Sequence, residues 1–112
     1  MDVYFSNRSL EKLCAKKKKL AKKFGHQRAR DIRVALDDLH AATNLAEISD
    51  LPYWRLHSLK GEHSDKYSID IDSQYRVWFT IVDREQIEDE DDYIDFSEVT
   101  SIEICLVGDP HD

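Results

Sequence analysis

Apolar positions in the first half of the chain recur with helical spacing. Leu10, Leu13, Cys14, Leu20, Ala21 and Phe24 form one stripe, the mark of an amphipathic helix. Ser6, Asn7 or Ser9 offers an N-cap oxygen ahead of it, Glu11 suits its first turn, and Gly25 supplies its stop. A second stripe, Ile32, Ala35, Leu36, Leu39, Ala42 and Ala46, predicts a helix from about 27 to 45. The tight glycine-containing link makes the two helices an antiparallel hairpin. Before them, Val3-Tyr4-Phe5 reads as an edge strand. After them the chain turns through residues 44–52, where Pro52 marks a break.

From Arg55 the period changes to two. Tyr67, Ile69 and Ile71 alternate with Ser68, Asp70 and Asp72. Beyond a turn at Asp72-Ser73-Gln74, the residues Tyr75, Val77, Phe79 and Ile81 alternate with Arg76, Trp78, Thr80 and Val82. This predicts a β-hairpin with one apolar face. Residues 83–97 are acidic and irregular and are expected to form a mobile loop. A last strand is expected over 99–107, with Ile102, Ile104 and Leu106 on its apolar face. The predicted fold is α+β, in the order β-α-α-β-β-β. A helical hairpin covers one face of a small, mostly antiparallel sheet and leaves the other face open.

The 112 residues suit one domain, 1–112, and 41 % hydrophobic residues suffice for one core. No segment reaches the ~18 apolar residues of a membrane span, and the first ten residues lack the order of a secretion signal. Cys14 and Cys105 stand far apart without metal-finger spacing. Neither a disulfide framework, a structural metal nor a cofactor is therefore expected, and a cytoplasmic setting is. The net charge of −7 conceals segregation. Residues 1–36 hold 11 Lys/Arg against 3 Asp/Glu, or +8; residues 37–82 hold 4 against 8, or −4; residues 83–112 hold 1 against 12, or −11. Such asymmetry points to a polyanion-binding basic surface, or to an acidic segment folded back upon it.

Three features can carry chemistry: the run Arg55-Leu56-His57-Ser58-Leu59-Lys60-Gly61, the pair Arg76 and Trp78 on the open face, and the terminal Asp109-Pro110-His111. Together they suit metal-free RNA cleavage. Guanidinium and ammonium groups stabilise a phosphorane, and a histidine exchanges protons near neutrality. Trp78 or Tyr75 can stack a base.

The run Leu51-Pro52-Tyr53-Trp54-Arg55-Leu56-His57-Ser58-Leu59-Lys60-Gly61, then Tyr67-Ser68-Ile69, then Gln74-Tyr75-Arg76-Val77-Trp78-Phe79, resembles the HigB branch of the RelE/ParE toxin superfamily. The resemblance is good over about residues 30–82. It implies a RelE-like fold and a ribosome-dependent endoribonuclease that cuts mRNA in the ribosomal A site. It also implies a HigA-like helix-turn-helix antitoxin, a monomeric free toxin and a hetero-oligomer with that antitoxin. It assigns catalysis to Lys60, Arg76 and His111, with Arg55 in support. Where the family tends to end Asp-Tyr-His, this chain has Asp109-Pro110-His111 and a trailing Asp112. Lys16, Lys19 and Lys23 on the first helix join Arg55, Trp78 and Tyr75 as expected RNA contacts.

Plainer readings stand beside these. The lysines can be a solvated face. Arg76 can pair with Asp70 or Asp72 across the hairpin. The acidic loop can cover Trp78 or mimic nucleic acid, His57 and His63 can be ordinary surface residues, and Cys14 can be core. Two other functions also fit: a catalytically weak protein-binding module on the same fold, or a ParE-like gyrase inhibitor.

Overall fold

A computed structural model describes residues 1–111; the trailing Asp112 lies outside the described residues. The chain runs through β1 (Asp2–Phe5), α1 (Arg8–Ala15), α2 (Lys17–Phe24), α3 (His26–Ala41), α4 (Leu45–Ser49), β2 (His57–Ser58), β3 (Lys66–Asp70), β4 (Arg76–Ile81), α5 (Arg84–Ile87) and β5 (Ser101–Gly108). Single 3₁₀ turns occupy Pro52–Trp54, Gly61–His63 and Phe96–Glu98.

The expected first helix is two helices. Asn7 caps α1, its side chain accepting from the Leu10 N–H at 2.8 Å. At Lys16 the backbone turns extended (φ −128°, ψ 119°) and α2 begins anew. No proline or glycine announces this break. It lets the apolar stripe change direction, so that Leu20 reaches the core while α1 stays peripheral, with no fully buried residue. Gly25, at φ 86°, ends α2 and starts α3. The second helix stops at Ala41; α4 follows separately, capped by Asn44 accepting from the Glu47 N–H. Cys14 lies in the helical layer, where burial pushes its thiol up to about 11 despite nearby Lys23, so the thiolate is scarce at neutral pH.

The sheet order is β1-β5-β4-β3-β2, antiparallel except for β1 beside β5. Val77, Phe79 and Ile81 of β4 and Tyr67 and Ile69 of β3 face the helices and join Ile32, Leu36, Leu39 and Leu45 in the core. In β5 the alternation breaks. Ile104 pairs with Phe79 and Leu106 with Trp78, leaving Cys105 as an extra bulged residue. Ile102 and Ile104 are core as expected, but Leu106 is not. The bulge returns Val107 to the core and turns Leu106 to the other face, because one inserted residue reverses every later side chain.

The acidic segment also departs from the expectation of a mobile loop. Ile94 and Val99 are buried, and Phe96 packs edge-on to Tyr67 with ring centroids 5.6 Å apart. Arg84 bonds Glu88 at 3.1 Å across the single turn of α5. The segment therefore closes the helix side of the sheet beyond the reach of α3. Its packed residues Arg84, Ile94 and Phe96 lie on the helix side, away from Trp78.

Candidate functional site

The sheet face turned from the helices is built by alternation and is open only in part, against expectation, since Ser68 and Asp70 on it are buried. On β4 it receives Arg76, Trp78 and Thr80, and on β3 their partners Asp70, Ser68 and Lys66. His57 stands opposite Ser68 and Leu106 opposite Trp78, so one rung reads His57, Ser68, Trp78, Leu106 across four strands.

Asp70, buried to 9 % exposure, is the centre of charge. One carboxylate oxygen lies 3.0 Å from Arg76 Nε and the other 3.1 Å from Arg55 Nη1. These are ion-pair contacts by distance; Oδ1 lacks a partner with hydrogen-bond angles. Arg76 also donates from Nη1 to the carbonyls of Asp72 and Tyr75, and from Nη2 to that of Ser73. Of its five N–H groups, one on Nη2 remains to offer a ligand. Arg55 is much freer, with its side chain 74 % exposed. Its backbone sits in the left-handed region (φ 48°, ψ 51°), which a non-glycine residue adopts at a strain that is common at functional sites.

The same Arg55 fixes a histidine. The His57 Nδ1 lies 2.8 Å from the Arg55 carbonyl. A carbonyl only accepts, so Nδ1 is the donor there, and in the neutral imidazole Nε2 is then the acceptor. Treating His57 as an ordinary surface residue missed this. No strand period signals it, because Arg55 is left-handed and β2 begins only at His57.

Trp78 is half-buried on the open face, and the ring against it is His63, with centroids 5.1 Å apart. Tyr75 does not join it. Its ring lies on the helix side, edge-on to Phe24 at 5.6 Å, with the Arg28 guanidinium 3.8 Å from its centroid. It therefore offers no free stacking surface on the open face. Arg28 continues to Asp72 at 2.9 Å. Burial alone would raise the Asp72 carboxyl, but the bonds from Arg28 and from the Gln74 and Tyr75 N–H groups outweigh it and hold that carboxyl low.

The three expected catalytic residues do not gather at one point. Arg76 pairs with Gly108, so the chain leaves β5 at the Arg76 end of the sheet. His111 is exposed there; its N–H donates to Asp109, which accepts in turn from Gln74 at 2.9 Å. Those two bonds, the one from Gln74 foremost, hold the Asp109 carboxyl low. Lys60 lies at the opposite end. It precedes the Gly61–His63 turn, and Leu59 bonds Lys66, four residues along β3 from Asp70. At 3.3 Å per residue this is about 13 Å from the arginines. The site is thus a band along the sheet: Lys60 at one end, His57 and Trp78 midway, and Arg55, Arg76 and His111 at the other end. Of the expected helix contacts, Lys16 and Lys19 are exposed on the helical layer, while Lys23 borders a groove beside Phe24, Tyr75 and Asp109. Among the described residues no cluster of His, Cys, Asp or Glu is placed to hold a metal ion.

Comparison with known proteins yields two findings. Residues 4–97 match the HigB-like toxin family, described as the RelE-like toxin of the type II toxin–antitoxin system HigB. The fold is similar to that of a YoeB/ParE toxin from Agrobacterium tumefaciens, with a TM-score of 0.52 over 97 % of this chain and 98 % of that one at 10 % identity. No curated protein matches the sequence.

Proposed function

The chain belongs to the HigB-like family of RelE-like toxins, and on that premise we propose that it is a metal-independent endoribonuclease that cuts mRNA in the ribosomal A site. A type II toxin implies an antitoxin partner; the partner proposed here is a HigA-like helix-turn-helix protein. The observation that supports cleavage most is the pair of guanidiniums about Asp70, with the His57 ring on the same face and its Nδ1 turned to the Arg55 carbonyl.

In the proposed reaction the 2′-oxygen attacks the adjacent phosphorus and the P–O5′ bond breaks. This yields a 2′,3′-cyclic phosphate and a 5′-hydroxyl. Arg55 and the remaining Arg76 N–H stabilise the charge that develops on the phosphorane oxygens. His57 accepts the 2′-hydroxyl proton through Nε2, and His111 in its protonated form returns one to the 5′-oxygen. Lys60, some 13 Å away, holds a neighbouring phosphate rather than the reacting one. Trp78 offers its face to a base.

Induced expression should arrest growth and leave cuts within translated codons, mapped as new 5′ ends. Arg55→Ala, at an exposed position, should keep the fold and lower cleavage by about 10²-fold, a usual loss for one oxyanion-stabilising group. Arg76→Lys should lower it as strongly. Intact messages with soluble wild-type protein would overturn the reading. A second reading draws on how fully Arg76 is engaged by its own hairpin. In it the chain is a weak nuclease acting through protein contact, and Arg55→Ala and Arg76→Lys would keep the full cellular effect.

A further inference from the structure

Two buried polar atoms beside Trp78 have no hydrogen-bond partner. The Ser68 hydroxyl, on a residue 1 % exposed, sits directly across the ladder from Trp78. The other atom is Nδ1 of His63, whose ring rests on Trp78 with centroids 5.1 Å apart and planes tilted by 53°. A sealed polar atom without a partner is costly, so a pair of them at one spot calls for a reason. His63 ends the Gly61–His63 turn. Its N–H donates to the Lys60 carbonyl, the Ser64 N–H donates to the Gly61 carbonyl, and its Nε2 lies 3.6 Å from Glu62. Among the described residues no hydrogen bond ties residues 61–64 to the sheet, and Gly61, Glu62 and Ser64 are exposed. The turn thus rests on the sheet through one ring. Gly61 stands behind that ring at φ 68°, with nothing within 4 Å of where a Cβ would be, and Leu59 is anchored to Lys66 at 2.9 Å.

We propose that the Gly61–His63 turn is a flap and His63 its plug: the imidazole keeps the place of an RNA base on Trp78, and an unpaired base of the substrate displaces it and bonds the Ser68 hydroxyl. The choice of ligand rests on the nuclease reading. The chemistry of the spot supports it. A plain aromatic side chain could stack on Trp78 but would leave the Ser68 hydroxyl orphaned. A nucleobase has the same flat face and carries donors and acceptors on its edge. Seating one satisfies Ser68 and returns His63 Nδ1 to water, so both unpaired atoms are relieved by a single exchange. Cations stand on either side for the adjoining phosphates. Arg76 is two residues along β4 from Trp78, about 7 Å away, and Lys60 is the residue from which the flap starts. Opening the flap about Gly61 therefore clears the base position beside the cation that holds a neighbouring phosphate.

The test is fluorescence anisotropy of a labelled 2′-O-methyl hexa-adenylate, which has no attacking hydroxyl, with the full chain. His63→Ala should bind it about fivefold more tightly than the wild type, and Trp78→Ala about fivefold more weakly, the low end for one stacked base. In the double variant the gain from His63→Ala should vanish, because there is no ring left to uncover. Ser68→Ala should weaken binding about threefold in the His63→Ala background, at one lost hydrogen bond, while leaving the urea midpoint no lower. Indole emission gives a second readout that needs no Trp78 variant. The oligonucleotide should quench His63→Ala at about fivefold lower concentration than it quenches the wild type, with the buried Trp54 as a constant background. The inference is overturned if His63→Ala binds no more tightly, if its gain survives the loss of Trp78, or if its quenching curve matches that of the wild type. Messages left uncut by a wild type that shows these binding effects would sink the nuclease reading and leave the plug standing. Messages cut as expected, with His63→Ala binding unchanged, would do the reverse.

Discussion

Two cationic regions of one small chain are managed in opposite ways. On the sheet, Arg55 and Arg76 are held by a carboxylate that is nearly sealed from water. Between α2 and α3, Lys17, Lys18, Arg30 and Arg33 border a groove that no carboxylate lines, although Glu11 and Asp37 line the neighbouring hollow with Lys17 and Arg33. The first arrangement fixes geometry and spends much of the charge; the second keeps its charge and fixes little. A reacting phosphate needs donors placed to within a fraction of an ångström, whereas an anionic backbone needs only density of positive charge. The contrast is between cations whose geometry is fixed by the sheet and cations that the helical layer leaves unfixed.

Removing the sheet's central carboxylate should produce the largest effect on stability. Asp70→Ala leaves Arg76 largely buried without its counter-charge, since its side chain is only 23 % exposed. Losing one partner of such a pair is expected to destabilise the fold by about 2–3 kcal/mol, below the full buried-pair figure because Arg55 can turn to water. Arg30→Ala has no partner to orphan and should stay within about 0.5 kcal/mol. Urea unfolding of both variants checks the difference. Equal losses would mean that the two regions are not built differently.

That difference was only half legible in the sequence. The β3–β4 hairpin was plain, because Tyr67, Ile69, Val77 and Phe79 alternate cleanly and Arg76 and Trp78 must then face away. The helical hairpin was plain too, since its apolar stripes and Gly25 agree. The break at Lys16 was not, because a lysine run carries no local stop and only tertiary packing decides where the stripe turns inward. Nor was the Cys105 bulge, which moves Leu106 off the core without any glycine or proline to signal it. The acidic segment was misread because net charge hid the buried Ile94 and the packed Phe96 within it. In the site, type and face were readable but position along the strands was not: Lys60 and Arg76 share a face-building motif yet sit at opposite ends of the ladder.

A smaller effect concerns acid. The carboxyl of Asp72 lies below its ordinary value near 3.8, burial being outweighed by Arg28 and two backbone N–H groups. A carboxylate lowered on folding contributes stability above its unfolded value. That contribution is lost as the pH falls through the lower folded value. The wild-type urea midpoint should therefore decline below about pH 4. Arg28→Ala removes the strongest lowering bond, so the midpoint should start lower at neutral pH and fall less steeply on acidification. The same variant frees the Tyr75 ring from the guanidinium above it. An acid limb as steep as that of the wild type would show that Asp72 is held by its turn alone.

The smallest effect has the most telling sign. Lys17 and Lys18 open α2, where the helix dipole favours anions, and no side chain caps that end. The chain therefore keeps positive charge where a helix disfavours it. Lys18→Glu should relieve that conflict and stabilise the fold by roughly 0.3–1 kcal/mol. It should also weaken binding of an RNA hairpin, since it places a carboxylate in a groove that now has none. A surface lysine kept only for solubility would show the gain in stability without any loss of binding. Stability and affinity moving in opposite directions in one variant would mark the α2 lysines as held against the preference of their own helix. On the sheet face, by contrast, Asp70→Ala should lower stability and cleavage together, because there the fold and the chemistry use the same ion pairs.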